Sequence, residues 1–357
     1  MDESATIDDL GGWPSVLARL VAGDTLSGDE AAAILSDVLA GNATAAQVAS
    51  FVTALRLRGE TVEEMAGLVR AMLAHAESVA VSDHVSARLV DTCGTGGDRR
   101  HTVNVSTIAA LVVAGAGVPV CKHGGRAASS ASGSADVLEA LGVVIDLGPE
   151  GVARCIDEVG MGFCFAPRFH PAMRHAGAVR RELGVATVFN FLGPLANPAR
   201  VRRQVVGVSD PAMAHKMLGV LATSGAARAM VVWGHDGLDE LSIAGPSTAL
   251  CLEADNAIRR MEVYPPELGL DLARPAEVLG GDAAANAEVV HRVLEGVTGP
   301  HRDIVVLNAA AGLVVAGVAD DLTGGVARAR AALDDGSAAA VLEGLVRVSR
   351  SAAGRDR

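Results

Sequence analysis

The sequence predicts an α/β protein in which a small helical unit precedes a larger domain built on a largely parallel sheet. Three observations carry this reading. Roughly the first 80 residues hold repeated helix-start signals. From about residue 85 onward, short apolar or β-branched runs alternate with helical stretches. Two of those runs lead straight into glycine-rich turns, where ligands of parallel sheets bind.

The helical unit rests on three capping boxes. Ser27 is followed by Glu30, Thr44 by Gln47 and Thr61 by Glu64. In each, the hydroxyl accepts from an orphan helix N–H, and the Glu or Gln reaches back to the cap. Gly41 and Gly59 close two of these helices, and apolar residues such as Ile34, Leu35, Val38 and Leu39 recur at helical spacing. Beyond them, candidate strands fall at 88–92, 118–121, 143–146, 161–165, 204–208 and 230–233. Candidate helices fall at 107–116, 135–141, 149–159, 212–223, 283–294 and 337–347, with a further mostly helical segment at 165–184.

Composition narrows the function. Half of the 357 residues are hydrophobic and only 3% are aromatic, enough for a large core. The net charge of −12 opposes nonspecific binding to nucleic acid or anionic membrane. The five cysteines show no C-x-x-C spacing and read as reduced thiols. MDESATIDDL lacks the pattern of a signal peptide, and the longest apolar run, 108–120, contains Pro119 and is too short for a bilayer. A cytoplasmic protein is expected.

Four constellations carry chemistry. VDTCGTGGD, followed by RRHTVNVST, ends a strand with Gly94, Gly96 and Gly97 and starts a helix near Ser106. Such a turn forms an anion nest backed by a helix N-terminus. It is neither a P-loop nor a dinucleotide fingerprint. KHGGRAASS, 122–130, places Lys122, His123 and Arg126 beside two glycines and then several serines, a donor set suited to a polyphosphate. DGLDE, 236–240, sets adjacent carboxylates at a strand end, where Mg²⁺ could bridge to phosphate oxygens. FAPRFHPAMRHAGAVRRELG, 165–184, offers His170, Arg174, His175, Arg180 and Arg181, and arginine suits a carboxylate.

Together with GSADVLEALG, FNFLGPLANP and NAAAG, these motifs resemble the anthranilate phosphoribosyltransferases over nearly the whole chain. The resemblance implies an N-terminal α-helical domain, 1–85, joined by helices within about 172–200. It is hinged to an α/β domain, 86–350, of the nucleoside phosphorylase/phosphoribosyltransferase type, usually as a homodimer. It implies Mg²⁺-dependent transfer of a phosphoribosyl group from phosphoribosyl pyrophosphate to the amine of anthranilate, in tryptophan biosynthesis. By this likeness Gly94, Gly97, Asp98, Thr102, Asn104, Val105, Ser106, Thr107, Lys122, His123, Gly124, Gly125, Arg126, Ala127, Ala128, Ser129, Ser130 and Ser134 line the phosphoribosyl pyrophosphate site. Gly94 and Arg180 meet anthranilate. Two Mg²⁺ ions are held by Ser106 with Glu240 and by Asp239 with Glu240. His123 is the nearest candidate for a general base, and a neutral hydrogen-bonded wall is the other reading of it.

Three positions depart from the family pattern. Gly125 stands where asparagine is usual, Arg99-Arg100-His101 replaces a less basic stretch begun by glycine, and Trp233 replaces histidine. All three bear on the acceptor side, so a paralogue with another aromatic acceptor stays open. A nucleoside phosphorylase is opposed by the retained DGLDE. A non-catalytic nucleic-acid-binding relative is opposed by that motif and by the charge.

Overall fold

The computed structural model describes residues 5–127, 131–253, 255 and 257–354. Ala128, Ser129 and Ser130 lie outside the described residues. All three capping boxes form with both of their hydrogen bonds, starting the helices Gly28–Ala40, Ala45–Arg58 and Val62–Ala74. A shorter helix, Gly12–Val21, lays Trp13 edge-on against Phe51 and ties its indole N–H to Asp37 at 2.8 Å. Buried Glu64 accepts from the Leu26 and Thr61 backbone N–H groups, so one carboxylate satisfies two chain segments.

The larger domain carries a seven-stranded sheet: β1 Val90–Gly94, β2 Val120–Gly124, β3 Met161–Phe165, β4 Arg203–Gly207, β5 Arg228–Gly234, β6 Ser247–Leu252 and β7 Ile258–Val263. Its order is β3-β2-β1-β4-β5-β6-β7. β1 to β5 are parallel, and β6 and β7 append antiparallel. The chain winds outward from β1 to β3, then returns to the other side of β1. The switch point therefore falls between β1 and β4, and ligands of such sheets bind at the strands' carboxyl ends there.

The candidate strand at 143–146 does not form. Val143 and Ile145 are buried and their neighbours are more exposed, which mimics a strand. However, the Val144 N–H is taken by the Ser349 hydroxyl at 3.1 Å, and the segment joins no ladder. β6 and β7 were not among the expected strands. β6 is buried throughout and poor in β-branched residues, and β7 is a mostly exposed edge carrying Arg259 and Arg260. The helices Pro300–Ala316 and Leu322–Asp334 were also not expected; the first is buried on nearly every side and shows no polar face.

Two apolar clusters flank the sheet. One gathers the helix Val105–Gly115 and the C-terminal helices. The other joins Trp13, Phe51 and Met65 of the helical unit to Ala176 and Phe189 and to Val206, Met217 and Val231 of the sheet domain. The helical unit thus shares its core with one face of the larger domain and with the segment around 176–189.

Candidate active site

The carboxyl ends of β1, β2 and β5 bring three of the four constellations together. β1 ends in Gly94 and leads through the glycine turn to the helix Val105–Gly115. β5 leads into the acidic turn, which clamps onto that loop. The Gly96 N–H donates to Asp239 Oδ2 at 2.7 Å, the Ser106 N–H donates to Glu240, and Arg100 donates to the Asp236 carbonyl. Glycine makes the clamp possible. A Cβ at Gly207, the end of β4, would stand 1.6 Å from the Asp239 carbonyl oxygen, and one at Gly94 would stand 2.8 Å from Asp239 Oδ2. The importance of Gly207 was missed from sequence, where it is an isolated glycine ending a strand.

Electrostatics in the turn are crowded. Burial, and then the neighbouring Asp98, push the Asp239 carboxyl up to about 7. Burial and then Asp239 hold Glu240 well above the usual carboxylate range, against the pull of Lys122. Lys122 is only 2% exposed and donates to the Thr92 carbonyl at 2.6 Å and to Ser106 Oγ at 3.3 Å. Beneath it, buried Asp91 accepts from the His123 N–H at 3.2 Å, Asn197 at 2.8 Å and Gln204 at 3.3 Å. Asn197 also donates to the Cys121 carbonyl at 2.9 Å, so FNFLGPLANP is stitched beneath β1 and β2.

The loop after β2 is laced by helix Ser134–Ala140. Ser134 Oγ donates to the Gly125 carbonyl at 3.3 Å, and Asp136 Oδ2 accepts from the Ala127 and Gly133 N–H groups. Arg126 pairs with Asp136 at 2.8 Å and Glu139 at 2.9 Å. Thr102 forms a bridge with Leu279. Asn104 accepts from Asn286 at 2.8 Å and donates to the Ser132 carbonyl at 3.0 Å, so its side chain braces the cleft. Asn308 of NAAAG holds Leu241, next to the acidic pair, through both its N–H and its carbonyl. Val105 and Thr107 are buried, and Gly97 and Asp98 lie on the outer part of the turn.

His123 is neutral and hydrogen-bonded. Its Nδ1 lies 3.1 Å from the Gly193 carbonyl and so carries the proton, while Nε2 is buried with no hydrogen-bond partner among the described residues. Burial, and then the His170 ring 5.1 Å away, lower its pKa to about 3. So weak a base is poorly matched to proton abstraction near neutrality. Arg180 sits with its guanidinium 5.8 Å over the Phe189 ring, has no ion pair among the described residues, and is held below its ordinary range by burial. His170 is buried against the Ala196 carbonyl, and Arg174, His175 and Arg181 are exposed. Trp233 lines a hollow of about 280 Å³ with Val208, Ser209 and His235, beside the acidic turn.

These features coincide with a known family. Residues 86–339 match the model of the glycosyl transferase family a/b domain, and residues 14–76 match its helical bundle domain. The anthranilate phosphoribosyltransferase of Anaeromyxobacter dehalogenans is 54% identical over 330 residues, covering 92% of this chain and 96% of that one. The chain belongs to the anthranilate phosphoribosyltransferases. The enzyme of that name from Salinispora arenicola is 51% identical over 344 residues, covering 95% of this chain and 97% of the relative. The anthranilate phosphoribosyltransferase of Thermus thermophilus superposes with a TM-score of 0.88 at 43% identity, covering 94% of this chain and 99% of that one. The Saccharomyces cerevisiae enzyme, solved in complex with PRPP and Mg, gives 0.86 at 28% identity over 95% of this chain and 98% of its own. In this anthranilate phosphoribosyltransferase chain the fold places the glycine turns and the acidic pair at one end of one sheet.

Proposed function

We propose that this chain transfers the phosphoribosyl group of phosphoribosyl pyrophosphate to the amine of anthranilate, releasing pyrophosphate, in the second step of tryptophan biosynthesis. The observation that supports it best, beside family membership, is the clamp of Asp239 and Glu240 onto the glycine turn and the helix Val105–Gly115. The donor lies over the turns after β1 and β2. There the backbone of Gly97 and Asp98, Ser106 at the helix start and the Gly124–Ala127 stretch take its phosphates, and the helix N-terminus favours their charge.

The acidic turn fits Mg²⁺. Asp239 and Glu240 crowd hard oxygen donors into one corner, with part-exposed Asp98 beside Asp239, and their mutual repulsion is what a divalent cation relieves. Among the described residues no three His, Cys, Asp or Glu side chains make a metal cage alone, which leaves coordination positions for substrate oxygens. Ser106 with Glu240, and Asp239 with Glu240, would hold two ions. When bound, Mg²⁺ supplies charge neutralisation to the departing pyrophosphate.

Arg180, half-buried and without an ion pair among the described residues, takes the anthranilate carboxylate, with Gly94 nearby. The reaction at the anomeric carbon has oxocarbenium character, and the protein positions the weak amine nucleophile rather than forming a covalent intermediate. Neutral His123 keeps its Nε2 lone pair within the wall of the site. The helical domain comprises 1–85 with helices from 172–200, and the chain pairs as a homodimer. No helix among the described residues is long and apolar enough to cross a membrane, and the enzyme works in the cytoplasm.

The test is direct. With Mg²⁺ and phosphoribosyl pyrophosphate, the purified protein should consume anthranilate, read as falling fluorescence, and Asp239→Asn should slow this by about 100-fold or more. Unchanged fluorescence, with pyrophosphate released from phosphoribosyl pyrophosphate only when another aromatic amine is supplied, would replace anthranilate as the acceptor.

A further inference from the structure

The amino ends of the parallel strands carry a second charged constellation, at the opposite edge of the sheet from the acidic turn. Arg203 opens β4, Arg228 opens β5, and the two are partners in the parallel register. Partnered residues of adjacent strands leave the sheet on the same face. Two guanidinium side chains therefore stand side by side, and Arg202 precedes them. With Ala227 and Gly317 these arginines line a hollow of about 440 Å³.

Each guanidinium is fixed in place by backbone carbonyls. Arg202 Nε donates to Gly225 at 2.8 Å. Arg203 donates from Nε to Ala87 and from Nη1 to Val315, both at 3.1 Å. Arg228 Nη1 donates to Val314 at 3.4 Å. These tethers use only one or two of the five N–H groups that each side chain carries. They orient the forks and leave donors to spare.

No carboxylate among the described residues lines this hollow, although Arg228 also borders a neighbouring one with Glu253, Asp320 and Asp321. Among the described residues no carboxylate pairs with any of the three, and the charges that act on Arg203 are those of Arg228 and Arg202, of its own sign. The C-terminal end of the helix Pro300–Ala316, which supplies the Val314 and Val315 carbonyls, offers only about half a negative charge. Like charges abreast on neighbouring strands destabilise a sheet. In a chain of net charge −12, three such cations around one hollow are an exception to the charge balance of the surface.

We propose that this hollow is a binding site for a phosphate-bearing small molecule, gripped by Arg202, Arg203 and Arg228. Guanidinium forks match phosphate oxygens bidentately, and three cations suit a multiply charged phosphate better than a single carboxylate. The volume lies within the range of small-molecule sites, about 300–1,000 Å³. The site is separate from the transferase cleft, so its occupancy is read without the reaction.

Calorimetry with inorganic tripolyphosphate, at low salt and without Mg²⁺, tests it. The double variant Arg203→Gln/Arg228→Gln should bind one equivalent fewer than the wild-type protein, while its transferase activity stays within about twofold. Arg202→Gln should weaken the same equivalent about tenfold, the loss expected for one charged hydrogen-bonding partner. Equal stoichiometry in wild type and double variant overturns the proposal. If the double variant does not fold, an unchanged affinity in Arg202→Gln overturns it instead. Citrate binding there more tightly than tripolyphosphate would overturn the assignment to phosphate.

Discussion

Gly124 and Gly125 adjoin in the chain, and the backbone of both is proposed to face the donor, but the spaces where their side chains would lie are unlike. A Cβ on Gly124 would stand 2.1 Å from Ser134 Oγ and 3.3 Å from the Phe163 ring. Among the described residues, a Cβ on Gly125 would meet nothing nearer than Ala166 at 4.0 Å. The half around Gly124 is filled by its own groups: Lys122 on Thr92 and Ser106, the acidic turn on Gly96, Asp136 on the loop backbone. The half proposed for the acceptor keeps open space and an Arg180 with no ion pair among the described residues. On the proposed assignment, a donor with many phosphate oxygens would meet a preformed frame, whereas the acceptor would enter a roomier part whose contacts can vary.

The strongest test of this contrast is Gly124→Ala. Overpacking against Ser134 and Phe163 should cost about 1–3 kcal/mol of stability, measured by urea unfolding, and should lower kcat/KM for the donor. A loss under about 0.5 kcal/mol would mean that this half is as loose as the other.

A second test concerns the wall between the halves. His123 has a folded pKa of about 3, against about 6.5 in the unfolded chain. The unfolded chain therefore binds the extra proton between these values. The stability contribution of neutral His123 is complete above pH 6.5 and is lost as pH falls toward 3, by up to about 1.4 kcal/mol per unit. His123→Asn should flatten that acid limb between pH 6.5 and 5. Parallel stability curves for variant and wild type would show that the ring is not held neutral.

The smallest effect is expected at Gly125→Asn. The side chain has room, and one added neutral hydrogen bond, about 0.5–1.5 kcal/mol, should lower the KM for anthranilate by about two- to twelve-fold with stability unchanged. A large rise in KM would mean that the space serves a different acceptor.

Much of this was legible in the sequence because it is local. Capping boxes are written in four residues, and all three formed. Glycine turns and adjacent carboxylates identified the right strand ends. What escaped depends on distant partners. Segment 143–146 has the burial rhythm of a strand, but no neighbouring strand is there to pair with it. The need for glycine at 207 exists only because Asp239 folds over it. The brace on Asn104 was equally invisible, because Asn286, which donates to its side-chain carbonyl, lies 182 positions away. The Arg99-Arg100-His101 stretch shows the same limit. Arg99 and His101 adopt φ of 56° and 54°, the region glycine occupies without penalty, at a local cost of about 1–3 kcal/mol each. That gives a physical reason for the glycine usual at the start of this stretch, and Arg100 anchors the strained turn to Asp236.

Asp91 has a consequence for the order of folding. Its donors lie 32, 106 and 113 positions away along the chain, at His123, Asn197 and Gln204. None can reach it until β1, β2 and β4 are already side by side. Such long loops close late, because their entropy is lost before any contact repays it. The network then acts on the rate at which the finished domain opens rather than on the rate at which it assembles, a lock closed last on a sheet that has already formed.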